Sequence, residues 1–318
     1  MVFVLPLILA AATPELAVLS SSGTTGELRF QSVDAKSPAA PVARFSHAEG
    51  SPVLGSLLPG TRVVVATAVM KSQGDLSFAS ALIRLETGRE PRLLADQIAY
   101  GSRPLVSAEG RVFVARGNGT QLTVDEIDPR TAKTRSIHSV ADGLVTYLAG
   151  ALGREVIIYE VTEAGSRLIA VHADTLGVRT LVANMNGPAH DFTLDAPRKR
   201  VLFTHWNELT RAYQVEEVSL VDGQTRVLAT GSEITLLPAV RADGRVLISK
   251  GEGLGLLALD GGEGLPARGT GFERLYAERG TLLITVHERP SDFPTVWVNG
   301  KPLATPPESR LDLAGVLP

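Results

Sequence analysis

The segment LPAVRADGRVLISK, residues 237–250, contains the pattern from which the chain is built. A short apolar stretch leads into a turn at Asp243 and Gly244, and the turn leads into a run of aliphatic residues. The segment RPLVSAEGRVFVAR, residues 103–116, has the same order of stretch, turn and run. Short aliphatic runs bounded by glycine turns are typical of β-strands, so both segments predict a β-hairpin.

The aliphatic run recurs along the whole chain. The runs are ELAVLSS (15–21), TRVVVAT (61–67), GRVFVAR (110–116), REVIIYE (154–160), KRVLFTH (199–205), GRVLISK (244–250) and GTLLITV (280–286). Equivalent residues of consecutive runs are 46, 49, 44, 45, 45 and 36 positions apart. A repeat of about 40–45 residues is the spacing of β-propeller blades, which are sheets of four antiparallel strands.

A second motif follows each run in phase with it, as a strand, a turn and a short strand. The turn positions hold Asp34, Glu86, Asp128, Asp174, Asp222, Asp260 and Asn299. Calcium ligation is one interpretation of these residues, and hairpin chemistry is the other. We favour the hairpin, because Asp and Asn side chains bond their own backbone in turns and each acid stands alone in its repeat.

One further strand precedes each run, which gives four strands per repeat in the order A, B, C, D. The chain begins at a B strand without an A strand, and residues 310–318 end the chain as an A strand without partners. The sequence therefore predicts an all-β, seven-bladed propeller of four-stranded blades, closed by the C-terminal strand completing the N-terminal blade. Six or eight blades would require one repeat to be misread, and the short repeat 234–272 is the candidate.

Two repeats resemble the TolB-type, WD-like propeller family of bacteria. The matching positions are Pro104, Ser107, Gly110, Pro238, Asp243 and Gly244. The Gly-His and Trp-Asp pairs of WD repeats are absent, so their hydrogen-bonded tetrad is not expected. The resemblance implies a rigid disc that is used mainly for binding, and it says little about activity.

Composition narrows the function classes. The 318 residues carry a formal net charge of −3 and the pI is about 6.1, which argues against a basic surface for nucleic acid or anionic lipid. The basic turn at residues 197–200 is too short to change that view. Arginine outnumbers lysine 25 to 6, a bias that we attribute to genome composition. Without cysteine the chain has no disulfide, thiol nucleophile or zinc–thiolate site.

The N-terminus predicts export. Residues 2–12 form an apolar run too short to span a membrane, and Ala10 and Ala12 suit a signal-peptidase site. No basic residue precedes the run, and a buried first strand is the alternative. We therefore expect a signal peptide at residues 1–12, a single propeller domain at 13–318, no transmembrane segment, and a periplasmic or secreted protein.

Candidate binding residues cluster in the B–C loops. In a propeller, the B–C and D–A connections lie on one face of the disc, the loop face, and the A–B and C–D connections lie on the other, the turn face. The B–C loops are the longer and more varied ones, and such loops commonly carry function. The candidates are Arg116, Glu160, Lys250, His205, Trp206, Asn207, Glu208, His287, Glu288 and Arg289.

The stretch His205–Glu208 is the most unusual of these loops. An exposed tryptophan beside histidine and glutamate would stack a sugar or anchor a protein partner. Packing of Trp206 between blades is the alternative. The histidines and glutamates here and at 287–288 show no metal-ligand spacing, so no metal or other cofactor is expected.

A second candidate group lies at the mouth of the central channel. His190 and Asp191 begin the A strand of the fifth blade, with Arg103, Arg274 and Asp312 on other A strands and Tyr147 nearby.

The function predicted from these features is an exported, non-catalytic propeller that binds a protein or glycan in the cell envelope. The alternatives are a propeller hydrolase or lyase using acids around the channel, and a module of a larger envelope assembly. No Gly-x-Ser-x-Gly nucleophile motif is present, and no catalytic residue is assigned.

Overall fold

The computed structural model describes residues 13–70, 80–117, 121–141, 143–185, 187–232, 236–249, 251–289 and 293–317. All regular secondary structure in these ranges is β-strand, in six sheets. The expected signal peptide at residues 1–12 lies outside the described residues. None of the described residues forms a helix of the length and apolar character that crossing a membrane would take.

The first sheet joins the two ends of the chain. It contains β1 (Glu15–Ser22), β2 (Thr25–Ser32), β3 (Ala43–Ser46) and the C-terminal strand β27 (Arg310–Leu317), in the order β27-β1-β2-β3. β27 pairs antiparallel with β1, from Glu15 opposite Leu317 to Ser21 opposite Arg310. The C-terminal strand therefore stands where the repeat pattern predicts it.

The second sheet differs from the prediction, because it contains eight strands. They are β4 (Leu54–Leu57), β5 (Val63–Ala68), β6 (Ser80–Glu86), β7 (Arg92–Ile98), β8 (Leu105–Val106), β9 (Val112–Gly117), β10 (Gln121–Ile127) and β11 (Thr134–Ala141). Two repeats merge here because β7 meets β9 at one residue pair, Ile98 opposite Arg116. The structure thus has six sheets and not seven separate ones.

The third and fourth sheets have four strands each, and the fifth has three. The third sheet contains β12 (Gly143–Leu152), β13 (Glu155–Thr162), β14 (Gly165–His172) and β15 (Val178–Met185), and the fourth contains β16 (Ala189–Asp195), β17 (Arg200–Asn207), β18 (Ala212–Ser219) and β19 (Thr225–Gly231). The fifth contains only β20 (Leu237–Val240), β21 (Val246–Ser249) and β22 (Leu256–Ala258). Its predicted fourth strand is reduced to one bridge, Leu256 opposite Leu265, because the glycine-rich residues 260–271 make a poor ladder.

The sixth sheet contains β23 (Phe272–Arg279), β24 (Leu282–Glu288), β25 (Thr295–Val298) and β26 (Lys301–Pro302). Its last two strands are joined by a tight turn at Asn299 and Gly300, whose φ angles are 48° and 76°. Positive φ at both central residues is the requirement of a type I′ hairpin turn, which Asn-Gly meets at low cost.

The aliphatic runs become the buried second strands because both of their faces are covered by neighbouring sheets. All six residues of β5 are buried, as are the five central residues of β13. Strands that are buried on both faces read as continuous apolar runs, without alternation. This explains why the runs were the clearest signal in the sequence.

The inner strands of successive sheets contact one another and surround a central channel. They are β27, β4, β8, β12, β16, β20 and β23. Two of them approach closely where the chain has glycine: a Cβ on Gly315 of β27 would lie 2.4 Å from the Leu57 Cβ of β4. A contact that short does not occur between real side chains, so glycine permits this packing.

Three of the acidic turn residues, Asp128, Asp222 and Asp260, bond backbone amides, as the hairpin interpretation predicts, whereas Glu86 and Asp174 pair with arginines. Asp128 Oδ1 accepts from Arg130 N at 2.7 Å and from Thr131 N at 3.2 Å, and Asp260 Oδ1 accepts from Gly262 N at 2.9 Å. No group of three or more histidine, aspartate or glutamate side chains that could hold a metal ion occurs within the described ranges.

Arginine side chains connect neighbouring sheets on the turn face. Arg200 donates to the Gly244 carbonyl of the next sheet at 2.8 Å, and Arg135 and Arg179 donate to the Ala173 and Leu220 carbonyls at 2.7 and 2.9 Å. The arginine bias of the sequence therefore has a structural use, which the attribution to genome composition missed.

Candidate functional site

Antiparallel pairing gathers the start of each inner strand and the end of its neighbour on the loop face. In the fourth sheet, Ala189 at the start of β16 lies opposite His205 near the end of β17. In the sixth, Phe272 at the start of β23 lies opposite Glu288 at the end of β24. Polar residues at these positions meet at the mouth of the channel. They form two groups, and hydrogen bonds connect the residues within each group.

The first group is built on Arg103 and Asp312. The Arg103 guanidinium forms a two-pronged salt bridge with the Asp312 carboxylate and also donates to the Gly55 carbonyl at 2.5 Å. Asp312 Oδ2 accepts from the Gly55 amide at 2.8 Å. Burial raises the pKa of Asp312 above its ordinary value, although Arg103 and the amide favour its charged form. The pair connects β27 with β4 and with the segment that precedes β8, in which Arg103 lies.

The second group is built on Asp191. Its Oδ2 lies 2.5 Å from His190 Nδ1, and its Oδ1 accepts from Arg274 Nη1 at 2.9 Å. Arg274 Nε donates in turn to Glu288 Oε2 at 2.9 Å. Burial alone would raise the pKa of Asp191, but the hydrogen bonds from His190 and Arg274 lower it below its ordinary value. Asp191 is therefore a carboxylate held in a fixed position.

The backbone at Asp191 is strained. Its φ is 54°, in the left-handed region, and the pairing of β16 with β17 shifts register between His190 and Thr193. A bulge of this kind turns a side chain out of the regular alternation and commonly occurs next to functional sites. Here it accompanies the contact with Arg274 of β23.

Tyr276 lies between the two groups, and the sequence analysis missed it. Its hydroxyl donates to the Leu313 carbonyl at 2.8 Å, and burial raises its pKa well above the ordinary value. Sequence spacing alone did not place it, because the pairing of β23 with β24 shifts register between Leu275 and Ala277 and so interrupts the alternation of the strand at Tyr276. Tyr147, which is half exposed, stacks on Tyr159 with ring centroids 6.2 Å apart.

Two cavities lie along β16, β20 and β23. One encloses about 120 Å³ and is lined by Asp191 and Arg274, and the other encloses about 270 Å³ and is lined by Tyr276 and Glu278. Both are also lined by Thr193, Ala239 and Leu275. The shared lining places the two cavities next to each other along the inner strands.

Most of the polar residues predicted at strand ends are buried and paired. Glu160 has no exposed surface and contacts His138 at 2.8 Å and Arg167. His205 is 3% exposed, with Nε2 at 3.1 Å from Glu216 Oε1. Side chains placed in this way stabilise the sheets and do not meet a partner directly.

Arg116 is also paired, with Asp125 at 3.0 Å and Asp96 at 3.1 Å. Lys250, the remaining candidate of this series, lies outside the described residues. In the repeats that the structure describes, the aliphatic runs therefore end in polar residues because charged side chains of neighbouring strands pair with them.

In the second predicted loop cluster, residues 287–289, His287 is buried and Arg289 is exposed. His287 is 4% exposed and its Nδ1 lies 2.9 Å from Glu273 Oε1, while its Nε2 accepts from Arg289 Nε at 3.3 Å. Glu273, which is buried and bonded to Arg268 at 2.8 Å, was not singled out by the sequence. Glu288 belongs to the channel group, as described above.

In the stretch 205–208, the tryptophan packs partly against the protein and the residues after it form an exposed turn. Trp206 is half-buried, with its ring edge-on to Tyr213 at 4.9 Å, and Tyr213 lies 6.4 Å from the His190 ring. Asn207 Oδ1 caps the following turn by accepting from Leu209 N and Thr210 N at 3.0 and 3.1 Å. The exposed Glu208 is part of that turn. An aromatic row thus leads from the B–C loop to the channel mouth.

Comparison with known proteins bears on the fold alone. No protein-family model matches the sequence, and no curated protein matches it in sequence. Among solved structures, TolB from Acinetobacter baumannii is similar with a TM-score of 0.54 at 12% identity, over 95% of this chain and 66% of the TolB chain. A chain of the nidogen/laminin complex gives 0.48 at 10% identity, over 95% of this chain and 98% of that one.

This chain therefore spans 66% of the length of the TolB chain that it matches. Its inner strands around a channel, its sheets of antiparallel strands and its paired chain ends agree with that likeness. The resemblance read from the repeats is confirmed at the level of fold: the protein is an all-β protein with a TolB-like β-propeller fold.

Proposed function

We propose that the chain is a seven-bladed propeller that binds a protein partner on its loop face and performs no chemistry of its own. The observation that carries the proposal is the position of the exposed aromatic side chains. Among the described residues these are Tyr100, Tyr147 and Phe293, which are 55%, 51% and 43% exposed. Tyr100 lies in a D–A connection, Phe293 in a B–C loop and Tyr147 on an inner strand. Two of the three therefore lie in connections of the loop face, and exposed aromatics beside a channel mouth are typical of interaction surfaces.

The blade count is supported by seven clusters of buried apolar side chains. Each lies between consecutive groups of strands, and one lies inside the eight-stranded sheet, where Val65 of β5 packs near Val114 of β9. Strands of one continuous flat sheet would not bury side chains against each other in this way. We therefore count the eight-stranded sheet as two blades joined at one residue pair.

Further apolar residues extend the proposed surface. Leu209 and Leu254, in two B–C loops, are 81% and 55% exposed, and Leu144 at the start of β12 is 63% exposed. They lie on the same face as the half-buried Trp206 and the charged groups at the channel mouth. Apolar and aromatic anchors beside charged side chains have the composition of a protein-binding site, with the charges fixing orientation. A glycan would use the same aromatic rings and is the other ligand class that the test distinguishes.

The absence of chemistry is proposed because the channel carboxylates are neutralised. Asp191 and Glu288 share Arg274, and Asp312 is bound by Arg103. The pKa of Asp191 is held low by its partners, which makes it a poor general base. The Asp312 carboxylate is already bound by Arg103 and the Gly55 amide. The His190–Asp191 pair beside the cavity is the feature that favours a hydrolase or lyase as the second candidate. Stoichiometric metal in purified protein, or hydrolysis lost in an Asp191→Asn variant, would favour that candidate.

We also propose that residues 1–12 are removed on export and that residues 13–318 form the mature domain in the cell envelope. The support is the apolar run with small residues at its end, followed by β1 from Glu15. Intact-mass measurement of protein from the native host should give a chain that begins near Thr13. A chain that retains Met1 in the cytoplasmic fraction would contradict export.

The test of binding compares two faces of the disc. Cross-linking in native extract should capture one partner with the wild-type chain, and Trp206→Ala or Phe293→Ala should weaken its binding by about 2 kcal/mol if each is an anchor. Lys199→Ala, an exposed change on the turn face, is the matched control. Thermal melting checks that Trp206→Ala still folds. Equal binding by all variants, or loss only with Lys199→Ala, would refute the proposed face, and competition by soluble glycan would identify the ligand class.

A further inference from the structure

The turn face has an excess of positive charge that the net charge of the chain conceals. Where the second and third sheets meet, Arg111, Arg135 and Arg154 contact the carboxylates of Glu126 and Asp174. The Glu109 carboxyl, whose pKa is lowered by the Ser107 hydroxyl and further by Arg111 and Arg154, also belongs to this network, so the network is balanced. Around the fourth sheet, three arginines share two carboxylates. These residues are Arg198, Arg200 and Arg226, with Asp195 and Glu217. The exposed Lys199 and Asp222 in the turns of this sheet cancel each other, so the fourth sheet carries a surplus of one positive charge.

The C–D turns of the eight-stranded sheet add exposed cations to this surplus. Arg89, Arg92, Arg130 and Lys133 are all exposed, and Arg92 donates to the Arg130 carbonyl at 2.5 Å, which brings the two turns together. Five cations and three carboxylates meet there. The cations are Arg84, Arg89, Arg92, Arg130 and Lys133, and the carboxylates are Glu86, Glu90 and Asp128. The positive surplus of the turn face therefore lies at the second and fourth sheets, on either side of a balanced network.

Exposed aliphatic residues occupy the next two C–D turns on the same face. Leu176 and Val178 at the turn of the third sheet are 48% and 52% exposed, and Val221 at the turn of the fourth is 69% exposed. Leu176 has a φ of 61°, and the equivalent position of the preceding sheet holds Ala132 at 62°. The turn does not require leucine there, and leucine at that φ is costly. The apolar side chain needs another explanation.

We propose that this part of the turn face docks onto an anionic lipid surface. The exposed cations of the second sheet and the arginine network of the fourth would face the phosphate-bearing headgroups. Leu176, Val178 and Val221 would enter the boundary between headgroups and acyl chains. Basic residues beside aliphatic residues at the tips of turns fit a lipid interface better than a nucleic acid, which has no apolar layer to receive them.

The acidic total charge of the chain does not oppose this docking. The buried second strands, which run from one face to the other, have up to eight residues, as in β17, which spans about 26 Å. At physiological ionic strength the screening length is about 8 Å, so carboxylates on the loop face act weakly at the turn face. The charge pattern of one face, and not the sum over the chain, determines attraction to a charged surface.

The test is co-sedimentation of the full chain with vesicles. We expect binding to vesicles of phosphatidylcholine and phosphatidylglycerol at about three to one, little binding to phosphatidylcholine alone, and loss at about 1 M salt, where screening is nearly complete. The double variant Arg130→Gln/Lys133→Gln should bind about thirty-fold more weakly, since each cation near such a surface contributes about five-fold. Leu176→Asn/Val221→Asn should also weaken binding while leaving the charge unchanged.

Matched controls separate this docking from non-specific adhesion and from partner binding on the loop face. Lys301→Gln removes an exposed cation of the sixth sheet, and Leu209→Asn removes an exposed aliphatic residue of the loop face. Both should bind vesicles as the wild-type chain does. Equal binding to both vesicle types, wild-type binding by the charge variant, or binding to duplex DNA without binding to vesicles would overturn the proposal. None of these outcomes depends on the partner proposed for the loop face.

Discussion

Replacing Leu313 by alanine tests whether the C-terminal strand closes the propeller. Leu313 of β27 is 3% exposed and packs in an apolar cluster with Leu16 and Val18 of β1 and Ile284 of β24. A buried Leu→Ala change costs about 2–5 kcal/mol, through lost burial and the cavity that remains. At roughly 2–4 °C per kcal/mol for a large domain, a cost of about 3 kcal/mol lowers the melting temperature by about 6–12 °C.

The assay is thermal or urea unfolding of the purified variant beside Leu209→Ala. Leu209 is 81% exposed, so its replacement should change stability by no more than about 0.5 kcal/mol. If the two variants melt together, β27 does not take part in the core and the reasoning is wrong.

Deleting residues 309–318 extends the same argument to the backbone. The deletion leaves the inner edge of β1 without partners from Glu15 to Ser21, along a strand whose residues 16–20 are buried. Each unsatisfied group costs about 1–3 kcal/mol, so several of them exceed the 5–15 kcal/mol of a typical domain. The truncated chain should aggregate, and recovery of a soluble chain with unchanged melting would count against closure.

Two further predictions concern charged residues. The pKa of Asp191 is lowered in the folded state, so the stability that its charge contributes is present above about pH 4 and is lost as the pH falls through the folded pKa. Asp191→Asn should therefore lower the urea midpoint near neutral pH, and the difference from the wild-type midpoint should disappear in acid. A difference that does not change with pH would contradict this. Arg200→Ala should lower the free energy of unfolding by about 2–4 kcal/mol, because it removes hydrogen bonds to Asp195, Glu217 and the Gly244 carbonyl. The Asp195 carboxylate, which is almost fully buried, would lose one of its arginine partners. Arg226 is exposed, so Arg226→Ala should cost about 0.5 kcal/mol or less. Equal urea midpoints for the two arginine variants would show that the bridges between sheets do not stabilise the fold.

The repeat was readable from the sequence because the buried second strands are continuous aliphatic runs. TRVVVAT (61–67) and REVIIYE (154–160) coincide closely with β5 and β13. The merging of two repeats was not readable, because it depends on one pair, Ile98 opposite Arg116, that the twist and spacing of two sheets bring into register. The missing fourth strand of the fifth sheet was foreseeable only as an irregularity of the short repeat.

The roles of the strand-end residues could not be predicted from their positions alone. Glu160 is paired with His138 of a preceding sheet, and His287 with Glu273 on an adjacent strand. Neither partner is near in sequence, so an ordered row of polar residues looked like a surface. The channel residues were easier to anticipate, because the start of each inner strand must lie near the axis whatever its partners are.

The fifth sheet decides where such a ring opens first. β20, β21 and β22 have four, four and three residues, and the outer strand is held beyond them by one bridge to Leu265. Local opening is cheapest where the fewest backbone hydrogen bonds and apolar contacts must be given up, so amide exchange should be fastest in this sheet and slowest in β13 and β17. Pro238 and Ala239 of β20 also line the smaller cavity beside the channel. The wall that β20 gives this cavity is thus its most compliant part, so we expect the cavity to widen and narrow there while the join between the chain ends stays shut.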